Sequence, residues 1–388
     1  MEPVNNASRR AILKGGLVAA AGLAAFGLPE WAVPVLADGE TLVPFTDIPN
    51  PFNTVPSETN RFLDIRKIDG AFTPKDQFFT TQHYGHPTID LSAFRLKLTG
   101  LVDHPKTFTV DEIKAMGRED IVAGFECSGN GRGRMQGLAS NGKWTGVPLK
   151  KVLKEAGLKD DGHEVVFYGA DHGEEETDFR QQKIKLDQHF GRSLPREVAL
   201  SNDPYLVYLL NGEPLTTHQG APLRLVVPGW YGVANVKWLA HIHVQKDRYM
   251  GKFQTRWYRT MREEKIDGET MWNETEVSRM RLKSAIARVT KEGGAHKVFG
   301  FVLNDGTPLK SVEVKVDNGP WQAATLQTPA GKFAWKFFTY TWTGATAGEH
   351  TIVSRATDKD GYVQPELLAE KKTFLEDNTQ FARKVMIS

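Results

Sequence analysis

The stretch GAPLRLVVPGW, residues 220–230, combines the composition of a buried strand with one positive charge. The apolar run from Leu223 to Val227 is typical of a strand covered on both faces. Arg224 lies just inside that run, where a basic side chain needs either an anionic partner or exposure to water. Lys237 follows in a similar setting, in NVKW at residues 235–238. Together the two cations would suit a phosphate or a pterin-like anion, so we predict a buried strand beside an anion-binding site.

Cys127 is the only cysteine among 388 residues and lies in FECSGNGR, residues 125–132. A lone cysteine forms no internal disulfide and supplies no Cys-x-x-Cys pair for zinc or redox chemistry. Three interpretations remain: a structural thiol, a nucleophile with His83 as its base, or one soft ligand of a metal held mainly by other groups. The glycines after an apolar strand let backbone approach a bulky ligand, which favours the last two interpretations.

Three other segments place polar side chains at the ends of apolar runs. They are FFTTQHYGHP at residues 78–87, GADHG at residues 169–173 and RWYR at residues 256–259. Each has an ordinary structural interpretation: a satisfied turn, an Asx-turn and a surface cation–aromatic cluster, respectively. His241 and His243 share one strand face but lack a third ligand, so we interpret them as structural.

The N-terminus predicts export. SRRAILK at residues 8–14 precedes an apolar run from Gly15 to Leu28 and a small-residue site, VLA, at residues 35–37. This pattern is typical of a twin-arginine signal peptide over residues 1–37, with a Sec signal or a membrane anchor as the alternatives. We therefore expect a periplasmic protein, exported folded, with no stable membrane span in its mature form. The net charge of +2 gives no reason to invoke nucleic acid.

The predicted secondary structure changes part-way along the mature chain. Short helices and scattered strands between residues 78 and 253 predict an α+β domain rather than a doubly wound sheet. After Glu276, regular short strands separated by Asn-Asp-Gly and Asp-Asn-Gly turns predict an all-β sandwich. We place the first domain at residues 38–270 and the second at 271–388.

Several local elements have specific signals. A capping box at Thr109 and Glu112 predicts a short helix through Met116. Pro148 is placed for the first turn of another helix, and Gly157 closes it. Strands are predicted over residues 94–100 and 164–168.

The order of these segments over residues 61–388 resembles the sulfite oxidase family of mononuclear molybdenum enzymes. CSGN at residues 127–130 is similar to the family's Cys-Ala/Ser-Gly-Asn motif, and GAPLRLVVPG with VKWL at residues 236–239 is similar to its pterin-binding stretch. VEVKVDNGPW at residues 312–321 and ATDKDGYVQP at residues 356–365 resemble its immunoglobulin-like dimerisation domain. The resemblance implies a molybdopterin-binding catalytic domain at 38–270 and an Ig-like domain at 271–388.

The resemblance also implies the residues of the site. Cys127 would be the thiolate ligand to molybdenum, Tyr258 the active-site tyrosine and Arg132 an anion-binding arginine of the pocket. The cofactor contacts would be Phe79, Gln82, His83, Asp171, Gln219, Arg224, Asn235, Val236 and Lys237, and Trp144 would line the same pocket.

Three positions depart from the family pattern. Thr81 stands where the family has a substrate-binding arginine, Gln219 where it has a pterin-binding histidine, and Trp257 where it has an aspartate. The loss of the arginine puts tight binding of sulfite in doubt, although Arg132 with Arg256 or Arg259 would still give a cationic pocket.

The resemblance implies a periplasmic molybdopterin enzyme that oxidises sulfite to sulfate. No haem motif such as Cys-x-x-Cys-His is present, so we expect no intrinsic haem and an external electron acceptor such as a c-type cytochrome. The family's assembly implies a homodimer. Thr81 leaves open a second hypothesis, the reduction of S-oxides or N-oxides on the same cofactor. A third is a non-catalytic binding protein that has kept the fold.

Overall fold

The computed structural model describes residues 36, 39–48, 60–367 and 375–388. The signal peptide predicted over residues 1–37 lies outside this part of the chain, apart from residue 36. No helix in the described part has the length and apolar character needed to cross a bilayer.

The described residues form mainly short strands with a few helices. The strands are β1 (Thr41–Val43), β2 (Leu96–Gly100), β3 (Lys106–Phe108), β4 (Glu119–Glu126), β5 (Ala139–Pro148), β6 (Glu164–Phe179), β7 (Gln182–Pro195), β8 (Tyr205–Leu210), β9 (Glu213–Pro214), β10 (Arg224–Val226), β11 (Leu239–Gln245), β12 (Arg259–Ile266), β13 (Glu269–Glu276), β14 (Lys283–Glu292), β15 (Ala295–Leu303), β16 (Leu309–Val316), β17 (Gln322–Ala323), β18 (Thr325–Leu326), β19 (Lys336–Trp342), β20 (Gly348–Asp358) and β21 (Arg383–Ile387). The α-helices are α1 (Val110–Ala115), α2 (Leu149–Ala156) and α3 (Arg196–Ala199), and a π-helical turn covers Lys252–Arg256.

The two predicted helices are present. Thr109 and Glu112 form the reciprocal capping box, with the Glu112 backbone N–H donating to Thr109 Oγ1 at 3.1 Å and the Thr109 N–H to Glu112 Oε2 at 2.7 Å. Helix α2 ends at Gly157, which adopts φ = +69° and so occupies the left-handed region that favours glycine. The apolar face of α2 is fully buried, which anchors the helix against the sheets.

One mixed sheet, one antiparallel sheet and the helices make up the N-terminal part. One sheet has the strand order β3-β2-β11-β6-β7, and the other has the order β10-β8-β5-β4 with β9 paired to β8. They share one core, to which Leu98 and Phe167 contribute from the first sheet and Val147 and Leu225 from the second. This arrangement confirms the α+β prediction.

The C-terminal part is a β-sandwich, as predicted. Its sheets have the orders β1-β14-β15-β19-β18 and β17-β16-β20-β21. Val289 and Val298 from one sheet and Val312 and Ile352 from the other pack in a common core. Strand β1 joins this sandwich by pairing with β14, and Phe45 forms a bridge with Val385 near the C-terminus. The domain boundary at residue 270 stays a prediction.

Strand β6 is much longer than predicted. The sequence predicts a strand that ends at Tyr168, but β6 continues to Phe179 and forms a long ribbon with β7. A register shift between Tyr168 and His172 interrupts the pairing. Asp171 therefore lies in a bulge within a strand rather than in a terminal turn, and bulges re-aim side chains.

Candidate active site

A cavity with about 650 Å³ of empty space, part of it open to solvent, brings together segments from distant parts of the chain. The residues that line it are Phe79, Thr80, Thr81, Gln82, His83, Phe125, Cys127, Asp171, Phe190, Arg224, Gly232, Val233, Asn235, Lys237 and Tyr258. Nine of these are the predicted site residues Phe79, Gln82, His83, Cys127, Asp171, Arg224, Asn235, Lys237 and Tyr258.

Cys127 follows the last residue of β4, and its loop is held from both sides. Its backbone N–H donates to the Leu138 carbonyl at 2.9 Å, and its carbonyl accepts from the Asn130 N–H at 3.0 Å. Behind the loop, Lys283 Nζ lies 2.7 Å from Glu126 Oε2, and Asn130 Nδ2 donates to the same oxygen at 2.9 Å. Both charged groups are buried, with side-chain exposures of 3% and 0%, so strand β14 fixes the cysteine loop through an ion pair.

Arg224 lies under the cavity with its charge uncompensated. Its guanidinium donates to the backbone carbonyls of Gln219 at 3.0 Å and Asn235 at 2.9 Å. The Phe125 and Trp144 rings lie 5.5 and 5.2 Å from the guanidinium carbon. Burial lowers the pKa of Arg224 to about 9, and no carboxylate of the described residues opposes that shift.

Lys237 is a second cation in the wall, and its side chain is partly buried. Its ammonium donates to Thr80 Oγ1 and Gln82 Oε1, each at 3.0 Å. Burial, and then repulsion from Arg224, hold the pKa of Lys237 well below its ordinary value, while Asp171 opposes the shift. The cavity wall therefore carries two desolvated positive charges close to one another.

Asp171 is a buried acid in the same wall. Burial raises the pKa of Asp171 to about 6, and Lys237 opposes this shift. Its Oδ1 atom is buried and accepts no hydrogen bond from the described residues. A buried polar atom without a partner is costly, so this oxygen is placed to accept a bond from a ligand.

Tyr258 and His83 form a hydrogen-bonded pair at the cavity. His83 Nε2 lies 2.8 Å from Tyr258 Oη. Burial, and then the nearby Cys127, raise the pKa of Tyr258, so the phenol stays protonated at neutral pH. Tyr258 follows the π-helical turn at Lys252–Arg256, an element that is often found at functional sites.

Comparisons with known proteins agree on one family. Residues 83–253 match the family described as the oxidoreductase molybdopterin binding domain. Human mitochondrial sulfite oxidase is 30% identical over 335 residues, which cover 78% of this chain and 58% of that protein. The mitochondrial sulfite oxidase of Drosophila melanogaster is 29% identical over 330 residues, covering 76% of this chain and 55% of that protein. This chain thus spans a little over half the length of these relatives.

A solved structure extends the similarity over nearly the whole chain. The sulfane dehydrogenase SoxCD from Paracoccus pantotrophus matches with a TM-score of 0.71 and 26% identity, covering 89% of this chain and 91% of that chain. The chain belongs to the sulfite oxidase family.

The described residues fit the cofactor of the sulfite oxidase family. Molybdopterin carries a phosphate, and Arg224 with Lys237 gives the wall an excess of positive charge. Asp171 Oδ1 offers an unused acceptor, and Cys127 offers one soft sulfur ligand in the same lining. The chemistry of this donor set matches an anionic cofactor that brings its own metal.

Four residues implied by the family resemblance do not line the cavity. Arg132 is exposed, donates to the Gln380 carbonyl at 3.3 Å and lies 5.2 Å from the Phe381 ring, so its placement does not support a role in gathering the substrate anion. Trp144 is fully buried, and its ring packs against the Arg224 guanidinium. Gln219 and Val236 are the other two.

Local bonding explains the positions of Gln219 and Val236. Gln219 uses its amide to cap its own turn, accepting from the Thr216 N–H at 3.0 Å and donating to the Lys75 carbonyl at 2.8 Å. Val236 is buried in the core, and its carbonyl accepts from the Leu225 N–H at 2.8 Å. Both residues therefore shape the wall instead of facing the cavity.

The two arginines predicted as alternative cations of the pocket also bond to other side chains. Arg256 donates to Thr177 Oγ1 at 2.9 Å, and Arg259 forms an exposed ion pair with Glu274 at 2.6 Å. His241 and His243 both bond Thr99 Oγ1, at 2.7 and 2.9 Å, which is what their structural interpretation expects.

Two contributors were not predicted from the sequence. Phe190 on β7 lines the cavity, and its ring centroid lies 5.8 Å from that of His83. Arg192, fully buried, donates to the carbonyls of Phe253 at 2.8 Å and Val277 at 2.7 Å and so fixes the segments on either side of Tyr258. Both lie on β7, whose largely polar sequence gives no local sign of a strand that reaches the cavity.

Proposed function

We propose that the protein oxidises sulfite to sulfate and passes the electrons to an external one-electron acceptor such as a c-type cytochrome. The observation that carries the proposal is that Cys127 and Tyr258 line the same cavity as the cations Arg224 and Lys237. The names of its relatives, sulfite oxidase and sulfane dehydrogenase, support a reaction at sulfur.

In this proposal Arg224 and Lys237 hold the anionic part of molybdopterin, Asp171 accepts a hydrogen bond from it, and Cys127 ligates the metal. Bound molybdenum would supply the two-electron redox chemistry that no side chain can provide. Sulfite and one water then give sulfate, two protons and two electrons, and the electrons leave one at a time. Tyr258 orients the reacting oxygen-bearing group by hydrogen bonding.

The test is sulfite-dependent reduction of ferricyanide and of cytochrome c by natively exported protein, with the molybdenum content measured on the same sample. We expect activity proportional to bound molybdenum. A matched control is Lys185→Gln, on the exposed ribbon where Lys185 pairs with Glu174 at 2.9 Å. A molybdenum-replete protein that reduces neither acceptor would contradict the sulfite assignment. A metal-free protein after native export, with Cys127 readily alkylated, would support a non-catalytic binding protein.

The reduction of S-oxides or N-oxides on the same cofactor is the second candidate. One observation favours it: the cations that line the described cavity are Arg224 and Lys237, and both are assigned to the cofactor. Thr81 replaces the family arginine, and Arg132 lies outside the lining, so the part of the cavity near Cys127 suits a neutral substrate as well as an anion. Sulfoxide-dependent oxidation of reduced viologen, faster than sulfite turnover, would establish this alternative.

We also propose a periplasmic location and a homodimer. Cell fractionation should find the mature protein in the periplasm, beginning after residue 37. Substitution of Arg9 and Arg10 by lysine should block its export if the route is the twin-arginine one. Sedimentation analysis should give twice the mass of the mature chain.

A further inference from the structure

The His83 ring is held in one orientation by aromatic contacts. It stacks on Phe253 with centroids 4.5 Å apart and planes at 21°, and it meets the edge of Trp257 at 5.6 Å. With the ring fixed in this way, its Nε2 atom is directed at Tyr258 Oη, 2.8 Å away. The contact is thus built into the wall by several side chains.

The charge state of His83 determines whether its Nε2 atom can accept a hydrogen bond from Tyr258. The imidazole is exposed at the cavity, and its ring contacts include those with Phe253, Trp257 and Tyr258. Burial, and then the positive charge of Lys252, lower the pKa of His83 to about 4, although Glu175 opposes the shift. A neutral imidazole has one N–H and one bare nitrogen.

The chemistry of the two groups sets the direction of the hydrogen bond. A phenol is a better acid than a neutral imidazole N–H, and a bare imidazole nitrogen is a better base than a phenolic oxygen. The stronger arrangement therefore has the Tyr258 O–H donating to a bare Nε2 of His83.

We propose that His83 is a positioning residue for Tyr258: its Nε2 accepts a hydrogen bond from the phenolic O–H, so that the lone pairs of Tyr258 Oη face the cavity. Tyr258 is then a hydrogen-bond acceptor toward the reacting centre. It orients an O–H donor such as the water that supplies oxygen, and it does not donate to the oxygens of sulfite. This inference rests on the proposed function for the identity of the water and the substrate, but the hydrogen bond itself does not depend on them.

The first test uses no turnover. In the holoenzyme labelled with ¹⁵N-histidine, the chain's 11 histidines give separate ring signals, and the His83 signal is the one lost in His83→Gln. We expect a neutral ring with a bare Nε2, whose shift changes when Tyr258→Phe removes the donor. His350→Gln, in the C-terminal sandwich, should remove a different signal and leave this one in place. A protonated Nε2, or a shift that Tyr258→Phe does not move, would overturn the proposal.

The second test separates positioning from cofactor binding. His83→Phe keeps an aromatic ring in the stack but removes the acceptor, so the Tyr258 O–H turns toward the cavity. Rates per bound molybdenum correct for any loss of cofactor. We expect the kcat for sulfite to fall about 10-fold, the worth of one hydrogen bond, with no rise in KM.

An unchanged kcat or a raised KM would refute the positioning role. If the wild type does not turn over sulfite, the proposed function fails, and the histidine spectra alone decide the present inference.

Discussion

Replacing Lys237 with methionine should change the apoprotein and the cofactor-loaded protein in opposite directions. In the apoprotein the ammonium is desolvated and repelled by Arg224, which holds its pKa well below the ordinary value. Each unit of such a shift costs about 1.4 kcal/mol of folding free energy at neutral pH. Methionine removes that cost but gives up the hydrogen bonds to Thr80 and Gln82, at about 1 kcal/mol each. Because the pKa of Lys237 lies well below its ordinary value, we expect the desolvation cost that is removed to exceed the hydrogen bonds that are lost, so the variant apoprotein should be more stable than the wild type.

The pH dependence follows from the same shift. Because the unfolded chain binds this proton more tightly than the folded chain does, wild-type apoprotein gains stability as pH rises from the folded pKa of Lys237 toward about 10.4. Lys237→Met should lack this gain. Urea unfolding of the apoprotein at pH 7 and pH 9.5 measures both effects.

In the loaded protein the same change should weaken retention of the cofactor. A hydrogen bond from a charged group contributes about 1.5 to 3 kcal/mol, or about 10- to 100-fold in affinity. Molybdenum per chain after gel filtration measures this loss. The matched control is Lys336→Met: burial lowers the pKa of Lys336 to about 8, but its ammonium donates to Asn304 and to backbone carbonyls away from the cavity. Lys336→Met should leave the molybdenum content unchanged. A Lys237→Met variant that is less stable than the wild type as apoprotein and has a normal molybdenum content when loaded would refute the reasoning.

Three further outcomes are expected. The pKa of Asp171 is raised from 3.8 to about 6, so its contribution to apoprotein stability, about 2 to 3 kcal/mol, is present below pH 4 and lost as pH rises through 6. Asp171→Asn should flatten the pH dependence of the free energy of unfolding over that window, as urea unfolding can measure. An unchanged pH dependence would contradict the assignment. Lys283→Met leaves Glu126 buried without its partner and should cost about 3 to 5 kcal/mol in urea unfolding, most of which the added Glu126→Gln change recovers; equal losses in the single and double variants would show that the pair is not coupled. Tyr258→Phe should lower the kcat for sulfite about 10-fold with normal molybdenum content, as rapid kinetics can measure.

The sequence predicts the parts of this site whose residue types are out of place in their surroundings. Arg224 inside an apolar strand and a single cysteine among glycines are unusual, and both line the cavity. The capping box at Thr109 and the terminal glycine of α2 are local signals, and both helices form as predicted.

The residues that the structure places differently from the predictions are held by long-range contacts. Arg132 lies in the segment that the resemblance assigns to the pocket, but its side chain turns toward Gln380 and Phe381 from the far end of the chain. The sequence predicts a turn at Asp171 because no local signal reveals that β6 continues beyond the bulge and pairs with β7. Pairings between distant segments leave little trace in a short window of sequence.

The measurement that tests the central claim most directly is X-ray absorption at the molybdenum edge, on natively exported wild type and Cys127→Ser. If Cys127 is the protein's ligand in this cavity, both proteins bind molybdenum, and the variant has one sulfur neighbour fewer. The urea unfolding midpoint should stay within the error of the wild-type value, because Cys127 packs only at the margin of the core. The same number of sulfur neighbours in both proteins would contradict the account.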